Sequence, residues 1–79
     1  MTVTGKIKGL KKGTLYLEKM QDSILVSVDS ISLFGKEEFK LTDNVDDPVL
    51  YYLTFKAENA EKRLLFFGEK GIITIEDRL

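Results

Sequence analysis

The sequence predicts an all-β fold, an antiparallel β-sandwich or partly open barrel of about six to eight short strands. Three observations carry that expectation. Apolar and polar residues alternate with period two along most of the 79 residues. Turn-forming residues recur at regular, short intervals between the alternating runs. A pattern of period 3.6 nowhere persists beyond about two turns, so no stretch has the apolar stripe of a stable helix.

The elements follow in order. Val3, Gly5 and Ile7 share one side of a first strand, with Thr4, Lys6 and Lys8 on the other. "GLKKG", Gly9 to Gly13, reads as a hairpin turn into a second strand, Thr14 to Met20, with Leu15 and Leu17 on its apolar side. Gln21 and Asp22 turn the chain into Ser23–Val28, where Ile24, Val26 and Val28 alternate with Leu25 and Ser27. The phase slips at Ile31 and Leu33, which predicts a bulge or corner near Asp29–Ser30. Gly35 breaks the run, and Phe39 with Leu41 begins another strand.

"TDNVDDP", Thr42 to Pro48, is dense in turn formers and holds the only proline, so it is a loop. "VLYYLTF", Val49 to Phe55, is unbroken in β-branched, aromatic and other apolar types, as suits a central strand covered on both faces. Lys56 to Lys62 has room for one helical turn but is too short for a stable helix. "RLLFF" and "GIITI" are expected to pair as a last hairpin around "GEKG", Gly68 to Gly71. Leu15, Leu17, Val26, Phe39, Leu53, Phe66 and Ile73 are the expected core.

Composition bounds the function. Twelve basic and thirteen acidic residues leave a net charge of -1, which selects no polyanionic partner. Cysteine and histidine are both absent. That removes thiolate chemistry, the usual general base and the commonest metal ligand together. No apolar run is long enough to span a bilayer, and "MTVTGK" lacks the apolar centre of a signal peptide. The chain is therefore expected either to be cytosolic or to have lost a leader.

Several stretches invite a chemical reading. Gly5, Gly9 and Gly13 lie four apart among lysines, but a phosphate loop needs lysine followed by serine or threonine at a helix start. Here Lys12 is followed by Gly13 and a strand pattern, so tight turning accounts for the glycines. Lys6, Lys8, Lys11 and Lys12 with Tyr16, Tyr51 and Tyr52 suggest an oligonucleotide-binding barrel. Interleaved acidic residues and the negative net charge oppose it, so no nucleic-acid partner is expected. Asp43, Asn44, Asp46 and Asp47 lack the spacing and closing glutamate of a calcium loop, and turn chemistry explains them. Glu37 and Glu38 are adjacent and so face opposite sides of a strand, which leaves no acid–base pair. No catalytic, cofactor-binding or metal site is expected. The expected contact face is Lys6, Lys8 and Tyr16, provided the strands flanking "GLKKG" pair and present them together.

With the strands placed, "VTGKIKGLKKGTLYLEKM" followed by "DSILVSVDSI" resembles the domain of unknown function 4369. The likeness continues through Asp29–Ser30, Gly35 with Phe39, "PVLYYLTF" and the final "LLFFGEKGIITI", covering nearly all of Val3 to Ile75. The Phe34–Leu41 hairpin departs from the pattern: Gly35 and Phe39 are more widely spaced, and Thr42 and Asp43 stand where a glycine is usual. The resemblance implies that residues 1–79 are one β-sandwich domain, the N-terminal module of a thioredoxin-like thiol–disulfide oxidoreductase. Such a parent would be periplasmic or attached to the cell envelope, often as a lipoprotein, with its cysteine chemistry in a C-terminal thioredoxin-like domain. The family has no defined catalytic residues in this domain, so none transfers.

Three functions follow as expectations: a non-catalytic accessory or interaction domain, an oligonucleotide-binding-type barrel, and a stand-alone small-ligand-binding sandwich. The first is expected here, with the thioredoxin-like domain or another protein as partner, no cofactor, no enzymatic activity and no membrane contact by the domain itself.

Overall fold

A computed structural model describes every residue except Leu10, Lys11, Asn59 and Leu79. Its elements are β1 (Thr2–Lys8), β2 (Lys12–Gln21), β3 (Ile24–Phe34), β4 (Glu38–Thr42), β5 (Val49–Ala57), β6 (Ala60–Gly68) and β7 (Ile72–Arg78). They form two sheets, β4-β1-β7 and β3-β2-β5-β6, packed as the expected sandwich. All described pairs are antiparallel except one: β1 and β7 run parallel, from Thr2 opposite Ile72 to Lys8 opposite Arg78.

Alternation decides what lies between the sheets. Val3, Ile7, Phe39 and Leu41 from the smaller sheet meet Leu15, Leu17, Leu33, Tyr51, Leu53 and Phe55 from the larger, all buried. Val45, from the Thr42–Pro48 loop, completes this core. Of the expected core residues, Leu15, Leu17, Phe39 and Leu53 are buried. Phe66 is half-buried and packs against the core. Val26 and Ile73 are half-buried and lie outside the core cluster.

The β2–β3 connection is a two-residue turn with Asp22 at φ 52° and Ser23 at φ 66°, the paired positive values that match hairpin twist. The expected bulge is present one residue early. Leu17 faces Asp29 while Glu18 faces Ser27, so Val28 is the extra residue.

Strand pairing differs from expectation at three places. β1 and β2 belong to different sheets, so the strands flanking "GLKKG" do not pair as a hairpin; Leu10 and Lys11 lie outside the described residues. β3 and β4 are likewise in different sheets, so Phe34–Leu41 is a corner. β6 pairs with β5 and β7 with β1, which makes Gly68–Gly71 a crossover where a hairpin was expected. The Lys56–Lys62 stretch holds no helix among its described residues; it is the tip of the β5–β6 hairpin, with Ala57 opposite Ala60.

Gly5 lies in the middle strand of the small sheet, and a Cβ there would run into the backbone carbonyl of Ile75. Its missing side chain lets β7 pass close beside β1. Gly9 serves a different purpose. At φ 90° it bends the chain out of β1, and it donates its N–H to Glu37 Oε2 at 2.6 Å.

Candidate interaction surface

The residues of the expected contact face are separated. Lys6 and Lys8 are exposed on the outer face of the β4-β1-β7 sheet, where they line an open groove with Glu76, Asp77 and Arg78. Tyr16 is on the outer face of the other sheet, half-buried, with Lys56 Nζ 5.7 Å from its ring centre. The face built from Lys6, Lys8 and Tyr16 does not exist as one surface, because the strands that carry them do not pair.

The three tyrosines also divide. Tyr51 points inward, stacks on Phe66 with ring centres 5.7 Å apart, and donates its hydroxyl to Asp43 Oδ2 at 2.6 Å. It therefore offers no stacking face to a base. Tyr52 points outward with the Arg63 guanidinium 5.6 Å over its ring.

Asp43 ties the loop to the sandwich. Its Oδ2 accepts from Lys19 Nζ at 3.2 Å as well as from Tyr51, and its backbone exchanges hydrogen bonds with Met1. Burial by itself would raise the Asp43 carboxyl, but the Tyr51 hydroxyl and the Lys19 ammonium together hold it below the usual carboxylate range. Burial, and then the hydrogen bond to Asp43 and its charge, push the Tyr51 phenol well above its ordinary value. This is how the acidic loop uses its best-placed carboxylate: as an acceptor for two protein donors. Among the described residues no acidic group converges with others to hold a metal ion.

The larger sheet's outer face has two zones. One is polar: Thr54, fully buried, donates to Glu18 Oε1 at 2.5 Å and accepts from Arg63 Nε at 3.2 Å. The other is apolar. Tyr52 faces Leu65, Leu50 faces Phe67, and Met20 faces Leu25. The β2–β5 register ends with Lys19 against Tyr51, and Met20 and Leu50 are the next residues of their strands on the outer face. These six side chains make a continuous patch, and Met20, Leu65 and Phe67 are 48%, 57% and 69% exposed. Sequence reading missed this patch. Its signal was present in "VLYYLTF" and "LLFF", where outward positions that alternation would make polar are apolar.

The family model described as Domain of unknown function (DUF4369) matches residues 1–78. The chain belongs to this family. No curated protein and no solved structure matches it. Membership agrees with the resemblance seen in the strand motifs, and it brings no assigned site. The apolar outer patch is thus the most distinctive surface of this DUF4369 domain.

Proposed function

We propose that this DUF4369 domain is a non-catalytic accessory or interaction domain of a periplasmic or envelope-attached thiol–disulfide oxidoreductase. The observation that carries the interaction reading is the patch on the outer face of the larger sheet, which puts aromatic and aliphatic side chains where solvent-facing residues are usually polar. The absence of cysteine and histidine from the sequence supports a role without redox or acid–base turnover of its own. The cysteine chemistry belongs to a thioredoxin-like domain of the parent chain, and this domain positions that unit or a protein it works on. The oligonucleotide-binding alternative is weakened by Tyr51, which faces the core, and by the two open sheets, which form no closed barrel.

The coding sequence downstream of residue 79 is the first test, and a Cys-x-x-Cys motif within a thioredoxin-like pattern is expected there. A stop codon at that point would overturn the reading. In the full-length protein, removing residues 1–78 should reduce turnover of a protein disulfide while leaving a small disulfide substrate unaffected. Insulin disulfide reduction by the purified 79-residue chain, free of thioredoxin, would contradict the non-catalytic role.

A further inference from the structure

Among the described residues four strands stand at sheet edges, β3, β6, β4 and β7, and they are protected unequally. β3 is bulged at Val28 and carries Ser27, Ser30 and Ser32 on its outer side. β4 is only five residues long, with Glu38 and Lys40 pointing out. β7 ends in the charged run Glu76–Asp77–Arg78. These are the usual devices that discourage edge-to-edge pairing. β6 differs: its second half, Leu64 to Gly68, has no charge, no proline and no bulge, and its ladder runs to β5 alone among the described residues. It also carries the most exposed members of the apolar patch, Leu65 and Phe67.

We propose that this free edge of β6 pairs antiparallel with the same edge of a second copy, in the register that sets Phe66 opposite Phe66. Three features select that arrangement. Keeping both inner faces on one side of a continuous sheet requires residues of equal parity to face each other, so the two-fold passes through a residue. Centring on Leu64 would set Phe66 against Lys62, and Lys62 is already engaged with Asp77 Oδ2 at 3.3 Å and the Arg78 carbonyl at 2.5 Å. Centring on Leu65 would bring Glu61 against Glu69 of the other copy, a like-charge pair.

Centring on Phe66 instead faces Leu65 with Phe67 twice on the outer side and closes each end with Arg63 opposite Glu69. Glu69 is exposed, one residue beyond β6. Arg63 is held by its Nε on Thr54, and its terminal nitrogen lies 3.9 Å from Glu61, so that end of the guanidinium has only a loose partner. The next pair outward, Lys62 with Lys70, falls outside the paired segment, because Lys70 lies two residues beyond β6. The two larger sheets become one sheet of eight strands, and their apolar patches merge across the axis. This inference stands apart from the redox reading, since it concerns the 79-residue chain alone.

Sedimentation velocity over a concentration series is the test, with wild type, Leu65→Lys, Glu69→Arg and the exchange Arg63→Glu/Glu69→Arg compared. The wild type should move reversibly from 9.0 kDa to twice that mass and no further. Leu65→Lys, at a position 57% exposed, should keep its circular dichroism and remain monomeric. Glu69→Arg, which lies outside every strand, should weaken dimerisation by about tenfold or more, and the exchange should recover most of that loss. A wild-type chain monomeric up to about 1 mM, an open-ended series of oligomers, or an exchange no better than Glu69→Arg alone would each overturn the proposal. Should Leu65→Lys fail to fold, the Glu69 variants decide the matter alone.

Discussion

The two sheets of this sandwich share one core and have opposite exteriors. Outside the β4-β1-β7 sheet stand Thr4, Lys6, Lys8, Lys40, Thr74 and Glu76; among the described residues, Ile72 at the start of β7 is the one large apolar residue exposed there. Outside the β3-β2-β5-β6 sheet, Met20, Leu50, Tyr52, Leu65 and Phe67 adjoin one another. The smaller sheet follows the rule for a sheet with one wet face, apolar inward and polar outward. The larger one breaks it along β5 and β6. Burial of the shared core explains the inward residues of both, and it does not explain the outward apolar residues of the larger sheet. That asymmetry, more than any titratable group, distinguishes the two exteriors of this domain.

The largest expected effect comes from breaking what the sheets share. Leu53 is 1% exposed between them, and Leu53→Ala should cost about 2–5 kcal/mol in urea unfolding, a large part of the stability of so small a domain. Next comes the smaller sheet by itself. Gly5→Ala places a methyl group against the Ile75 backbone, and about 1–3 kcal/mol or more should be lost as β7 is pushed away from β1.

Asp43 probes the seam where the loop closes the sandwich. Its folded carboxyl titrates below its unfolded value, so its contribution is present above the unfolded value and is lost as pH falls through the folded one. Asp43→Asn should therefore cost about 1–2 kcal/mol near neutral pH, and much less once the wild-type carboxyl is protonated. Unfolding midpoints of both proteins, measured from neutral pH into the acid range, should converge at the acid end. Parallel curves would mean that the charge on Asp43 contributes nothing. The smallest effect separates the two exteriors. Lys6→Glu and Lys8→Glu should each change stability by no more than about 0.5 kcal/mol and leave association unaltered, while Leu65→Lys abolishes it.

Local alternation makes much of this fold legible in the sequence itself. Val3 with Ile7, Leu15 with Leu17, and Phe39 with Leu41 read as inward pairs, and they are buried. The phase change at Ile31 announced the bulge at Val28. Pairing was harder to read. "GLKKG" and "GEKG" suit a hairpin turn, yet their flanking strands are placed in different sheets, because partners are chosen by core contacts far apart in sequence. The parallel β1–β7 pair joins residues at opposite ends of the chain and has no local signature at all.

The surface escaped for a related reason. An unbroken run such as "VLYYLTF" shows no phase, so Tyr51, Leu53 and Phe55 could not be told from Leu50 and Tyr52. Such a run reads as a strand covered on both faces. In the folded domain one face of β5 is covered by the smaller sheet, while on the other Leu50 and Tyr52 are only half-buried among neighbouring side chains.

Residue-resolved amide exchange, followed as protein concentration rises, tests the asymmetry most directly, because it reads the edges of both sheets in one experiment. The amides of Leu64 to Gly68 that point away from β5 should exchange more slowly at high concentration, while the free-edge amides of β4 exchange at an unchanged rate. Exchange on β6 that ignores concentration, or equal slowing on β4, would contradict the account.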